Sequence, residues 1–141
     1  MLDRAIIFFY LALLDEAKAK EAIHDVVKSL RKKGVQNNPE QSENLERLIS
    51  TLHSVYDNYA SKARPMGTVF SSGNLVLPTG LNWGRWLEFH RQADKNDLLA
   101  VIFNKILGIS EDVVARGLGV SNGTVRFRVS KGLRLLGGLN A

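Results

Sequence analysis

The sequence predicts an all-α protein: an N-terminal bundle of about three helices, an irregular linker, and a C-terminal helix-turn-helix unit. Three observations predict it. Apolar residues recur at steps of three and four over most of the chain, the period of a helix with one buried face. Residues that break helices, Pro65, Gly67, Ser71, Ser72, Gly73, Pro78 and Gly80, crowd into one interval. Near the C-terminus a tight turn at Leu118, Gly119 and Val120 separates two short helical patterns. The expected division is a helical unit over 1–61, a linker over 62–83 and a helix-turn-helix unit over 84–141.

The first helix covers about residues 3–14. Its ten apolar residues, 5–14, are about half of the roughly 20 needed to cross a bilayer, so it reads as a buried helix. Asp3 ahead of the run, and Asp15, Glu16 and Lys18 behind it, do not suit a secretory leader, and the expected location is the cytoplasm with no membrane contact. A second helix over 15–33 carries Ala19, Ala22, Ile23, Val26, Val27 and Leu30 at helical spacing. Gly34 ends it after Arg31, Lys32 and Lys33, a basic cluster that the helix dipole explains without any ligand. A polar link, 36–42, follows, in which Pro39 suits a first helical position. Leu45, Leu48, Ile49, Leu52, Val55, Tyr56 and Tyr59 then form one stripe on a third helix reaching about residue 60. Within the linker, 68–70 and 75–77 can pair as short strands. Trp86, Leu87, Phe89, Leu98, Leu99, Val101, Ile102, Ile106 and Leu107 predict helical structure up to a stop at Gly108.

Composition narrows the function. With 45% hydrophobic and 23% charged residues in 141, the chain is an ordinary globular domain in make-up. The absence of cysteine excludes disulfides, thiolate metal centres and cysteine nucleophiles. His24, His53 and His90 lie far apart, with none of the close pairs of a zinc site. No phosphate-cradling glycine loop or nucleophile elbow occurs, so no catalysis, metal or cofactor is expected. The net charge of +5 is uneven: residues 1–83 hold +1 and residues 84–141 hold +4. From 123 to 141 there are Arg126, Arg128, Lys131 and Arg134 and no acid, a field that attracts phosphates.

That basic stretch falls on the second helix of the helix-turn-helix. Ser110 suits an N-cap for a helix over 111–116, with Glu111 and Asp112 where the dipole favours negative charge. Ala115, Gly119 and Val125, at offsets of four and ten, supply the small residue at the crossing, the turn residue and the apolar wedge. Ser121 caps the second helix, which begins near Asn122 and is expected to carry Val125, Val129, Leu133 and Leu136 on one face. Its other face presents Asn122, Thr124, Arg126, Arg128 and Lys131 to base edges and phosphates. Arg126 is the first candidate for base readout and Arg128 for mixed base and phosphate contact, with Lys131 and Arg134 on the backbone. With Ser121 at the cap, these seven residues form the expected interface with duplex DNA.

Residues 108–136, GISEDVVARGLGVSNGTVRFRVSKGLRLL, resemble region four of bacterial sigma factors of the extracytoplasmic function group. Gly108, Ser110, Ala115, Leu118, Gly119, Val120, Gly123, Thr124, Val125 and Arg128 match that pattern. The resemblance implies that Asn122, Thr124, Arg126 and Arg128 read the promoter element near minus thirty-five. Residues 19–27, AKEAIHDVV, are similar to the region two helix that docks on the clamp helices of RNA polymerase. This implies polymerase or partner contacts by Lys20, Glu21, His24, Asp25 and Lys28. Tyr56, Tyr59, Lys62 and Arg64 stand where the family has an aromatic and basic promoter-melting helix. The chain departs from the family at Val113, usually acidic, and in lacking the Leu-Pro-x-x-x-Arg motif before region four. Two alternatives stay open. One is a sigma-like interaction protein that occupies polymerase or an anti-sigma partner, whose Arg126 and Arg128 would be paired to acids or buried. The other is a homodimeric helix-turn-helix regulator on a two-fold site.

Overall fold

In a computed structural model, which describes residues 2–34, 41–62 and 83–138, α1 (Leu2–Leu13) lies at the centre of the molecule. Phe8, Phe9, Leu11, Ala12 and Leu13 are all sealed from water, because beyond its first turn, which carries Asp3 and Arg4, the helix is apolar around its circumference. Leu14, buried and with φ 53°, turns the chain in the left-handed region, and Asp15 caps α2 (Glu16–Lys32) by accepting from the Lys18 amide at 3.1 Å. The small residues Ala19, Ala22 and Val26 are the buried face of α2, which packs on α1.

Helix α3 (Ser42–Ala60) buries Leu45, Leu48, Ile49, Leu52, Val55 and Tyr56 of the expected stripe, while Tyr59, its last member, is only half-buried. Two polar contacts tie it to α2: the Lys33 ammonium donates to Thr51 Oγ1 at 2.8 Å, and the Tyr59 hydroxyl donates to Asp25 Oδ2 at 2.5 Å.

The helical run expected before Gly108 is two helices, α4 (Trp83–Gln92) and α5 (Lys95–Val101), because Asp94 caps the second by accepting from the Asn96 amide at 3.0 Å. α4 closes the end of α1. Trp86 Nε1 donates to the Leu11 carbonyl at 3.1 Å and His90 Nε2 donates to the Ala12 carbonyl at 2.7 Å, groups that the last turn of a helix leaves without partners. α5 continues into a π-helical turn, Ile102–Ile106, closed by the Leu107 amide on the Ile102 carbonyl at 2.8 Å. There Phe103 stacks on Phe8, with centroids 4.9 Å apart and planes at 16°.

The chain ends in α6 (Glu111–Leu118) and α7 (Asn122–Gly138). α6 lies on α3, where Arg116 pairs with Glu46 at 3.2 Å and Gly117 faces Ile49. α7 lies on α5 through Val125, Val129 and Gly132. The expected stripe of Val125, Val129, Leu133 and Leu136 is corrected here. Leu133 is 37% exposed and Gly132 takes the inner position, because α5 comes so near that a Cβ there would sit 2.5 Å from Val101 Cγ2. Helices on both sides of residues 63–82 therefore share one core. The strands expected at 68–70 and 75–77, Pro39 and nearly all of the linker lie outside the described residues. Among the described residues no helix is long and apolar enough to cross a membrane.

The seam between α3 and α6 leaves no room for a methyl group, since a Cβ on Gly117 would lie 2.7 Å from Ile49 Cβ and 3.1 Å from the Glu46 carbonyl oxygen. Gly117→Ala is expected to destabilise the fold by about 1–3 kcal/mol in chemical denaturation. Gly137→Ala, where nothing lies within 4 Å, is expected to be neutral or stabilising by up to ~1 kcal/mol.

The tyrosines give a pH signature. The hydrogen bond to Asp25 pushes Tyr59 up to about 12, and burial raises Tyr56 and Tyr10 above their ordinary value. Between about 10 and 12 the unfolded chain releases phenolic protons that the folded chain retains, so stability falls as pH rises through that window. Phenolate absorbance should appear above pH 10 in the folded protein and shift down to about 10 in denaturant, with Asp25→Asn lowering the Tyr59 step.

Candidate nucleic-acid interface

The turn between α6 and α7 is built by local chemistry. Ser110 Oγ accepts from the Val113 amide at 3.5 Å and starts α6. Gly119 (φ 72°) ends it in the left-handed region, where a side chain would be strained, and the Val120 amide returns to the Ala115 carbonyl at 3.0 Å. Ser121 Oγ accepts from the Thr124 amide at 3.1 Å and lies 2.9 Å from Thr124 Oγ1, so both residues are engaged in starting α7. Ala115, Val114 and Val125 are buried at the crossing, which fixes the outward direction of the rest of α7.

Among the seven residues expected to meet DNA, Arg126, Asn122, Ser121, Lys131 and Arg134 are exposed, while Thr124 and Arg128 are half-buried. Three of them have acidic neighbours. Arg126 Nε donates to Glu111 Oε2 at 3.1 Å, in a pair with both partners open to water. Among the described residues the pair engages Nε, and neither Nη of the guanidinium has a hydrogen bond. Asn122 Nδ2 donates to Asp112 Oδ1. Lys131 Nζ lies 3.3 Å from Oδ2 of Asp97, a carboxylate whose side chain is only 8% exposed. Lys131 is thus committed to a buried acid on α5, in place of the purely backbone-directed cation expected from the sequence. Neither Arg128 nor Arg134 has an ion pair with a described residue.

Phe127 stands among these cations and was missed by the reading of the sequence. Its ring is 61% exposed, although Phe8, Phe9, Phe89 and Phe103 are fully buried. The signal was present: position 127 falls off the buried line through Val125, Val129 and Gly132.

A second surface lies on α2. Lys20, Glu21, His24, Asp25 and Lys28 are all exposed and form one continuous stripe. Lys20 pairs with Glu16 at 3.5 Å, Glu21 with Lys18 at 3.5 Å, and Asp25 holds the Tyr59 hydroxyl; His24 and Lys28 have no partner among the described residues. The residues compared with a promoter-melting helix are otherwise engaged. Tyr56 is buried, Tyr59 is bonded to Asp25 with the Lys62 ammonium 5.9 Å from its ring, and Arg64 lies outside the described residues. The three histidines sit on separate helices, and among the described residues no group of three His, Cys, Asp or Glu side chains could hold a metal ion.

No family model and no curated protein matches the chain. Among solved structures it is similar to the sigma factor RpoE, determined in complex with the anti-sigma factor NepR from Bartonella quintana. The TM-score is 0.70 at 18% identity, over 96% of this chain and 88% of that one. The all-helical fold described above is therefore a sigma-factor-like fold.

Proposed function

We propose that the chain is a transcription protein that binds duplex promoter DNA through α7 and contacts RNA polymerase core through the exposed stripe of α2. The observation that carries this reading is the outer face of α7. It presents Arg126, Arg128 and Arg134 with no acid anywhere on the helix, at the outer side of a helix-turn-helix in a sigma-factor-like fold. A helix so mounted enters the major groove with its N-terminal residues toward the bases, which assigns Asn122 and Arg126 to base edges. Arg128 and Arg134 follow the phosphates. Glu111 orients the Arg126 guanidinium through Nε and leaves the Nη fork for the O6 and N7 acceptors of guanine. The unit over 84–141 then provides DNA contact and the unit over 1–61 protein contact, in the cytoplasm where promoter and polymerase meet.

A second reading is favoured by the ion pairs Arg126–Glu111 and Lys131–Asp97. In it the cations stabilise the fold and the chain binds proteins alone: polymerase, an anti-sigma partner or a second copy of itself.

Titration of the full chain against a duplex selected from a random pool, at several salt concentrations, separates the two. Under the proposal log K falls linearly with log salt, by about 0.9 per neutralised phosphate. Arg126→Ala with Arg128→Ala, its folding verified by circular dichroism, weakens binding about 10- to 100-fold and relaxes base preference. Arg134→Ala lowers the salt slope by about 1 at unchanged stability. Lys131→Ala instead destabilises the fold by ~1 kcal/mol or more, because Asp97 loses its cation. Equal binding by the folded double variant, or none by the wild type at low salt, sinks the proposal and leaves the protein-binding reading.

A further inference from the structure

The ring of Phe127 is the most exposed of the large apolar side chains among the described residues, ahead of Leu2 at 52% and Leu133 at 37%. A single exposed apolar residue ordinarily needs no explanation. This one stands on a polar face whose nearest positions along the helix leave it clear. Gly123, one turn before it, has no side chain, and a Cβ there would meet nothing nearer than Ser121 Oγ at 3.9 Å. Ser130, almost one turn after it, is small and exposed. Phe127 makes no ring contact with another described residue, whereas Phe8, Phe103, Trp86 and Phe89 are all engaged with other rings. The ring is flanked in sequence by Arg126 and Arg128, and Lys131 follows one turn on.

We propose that Phe127 is a specificity-determining residue that packs its ring on the C5-methyl group of thymine in the major groove. The inference deepens the DNA-binding reading of α7 and rests on it. The occupant of such a surface is anionic around its edge, to match the arginines, and apolar at its centre, to cover the ring. In duplex DNA the phosphates supply the first property, and the thymine methyl is the apolar group on the floor of the major groove. Arg126 and Phe127 then read adjacent features: the guanidinium takes acceptors of a guanine, and the ring takes the methyl of a nearby thymine. Gly123 and Ser130 keep neighbouring side chains from holding the ring away from the bases.

The test uses the full chain and its selected duplex. Each thymine is replaced singly by deoxyuridine, which removes the methyl group and leaves every base-pairing atom in place. For the wild type, one or two replacements are expected to weaken binding by about 3- to 10-fold, the scale of one buried methyl. Phe127→Ala should weaken binding to the thymine duplex by at least as much and become indifferent to those replacements. Phe127→Leu, which keeps an apolar side chain, should retain part of the discrimination. Circular dichroism should match the wild type for both, since most of Phe127 is exposed and its ring meets no other ring among the described residues.

A wild type indifferent to every deoxyuridine overturns the assignment, as does Phe127→Ala that still distinguishes thymine from deoxyuridine. If binding then still depends on salt and on Arg126, the DNA-reading surface stands and only Phe127 loses its role. If no duplex is selected and none binds at low salt, the DNA-binding reading fails and the Phe127 assignment fails with it. A ring required instead for capture of a protein partner would be that outcome.

Discussion

The constraint on which the structure depends is that α1, beyond Asp3 and Arg4 in its first turn, has no polar face to turn to water. Ala5, Phe8, Phe9, Tyr10, Leu11, Ala12 and Leu13 are all buried, on every side of a single helix. α2 and α3 cover part of it, and the remainder is covered from the other end of the chain. Phe103 stacks on Phe8, while Trp86 and His90 take the carbonyls that the end of α1 leaves open. Burial of this much apolar surface contributes on the order of 25 cal/mol per Å², the main term holding the fold. The helix-turn-helix thus sits on a core that its own buried residues, Val113, Val114, Ala115, Val125 and Val129, share with the N-terminal helices.

The same packing sets what α7 can offer. Its inner line of Val125, Val129 and Gly132 is pressed on α5, so rotation about its axis is fixed and the outward face is decided. The ion pairs divide the cations of that face. Lys131 is drawn back to Asp97, which is nearly sealed from water, while Arg126 is held through one nitrogen by an exposed Glu111. Exposed pairs of the second kind contribute little to stability but do restrict geometry. A restricted guanidinium reaches a base edge with less loss of side-chain freedom than a mobile one.

The legible parts of the fold were those specified by local sequence. The α3 stripe, the end of α2 at Gly34, the caps at Ser110 and Ser121, and the turn at Gly119 each depend on side chains within a few residues of one another. Gly132 in place of Leu133 was not legible, because the inner position is set by how near α5 approaches, which is non-local. The commitment of Lys131 to Asp97, 34 positions earlier, was hidden for the same reason. The break at Asp94 is local too, since a capping residue before Lys95 and Asn96 is the ordinary mark of a new helix. Of the expected interface, Arg126, Asn122 and Arg134 were placed on the surface by periodicity alone. Phe127 lies off the buried line of α7, and its exposure follows from the same periodicity that places Arg126.

Whether α7 reads DNA from the major groove is decided by methylation of the bound duplex with dimethyl sulfate. The reagent attacks guanine N7, which opens on the major groove, and adenine N3, which opens on the minor groove. Protection of one or more guanine N7 atoms within a single helical turn is expected, with adenine N3 as reactive as in free DNA and with the protection lost in Arg126→Ala. Protection confined to adenine N3, or N7 protection that survives Arg126→Ala unchanged, would contradict major-groove reading by α7.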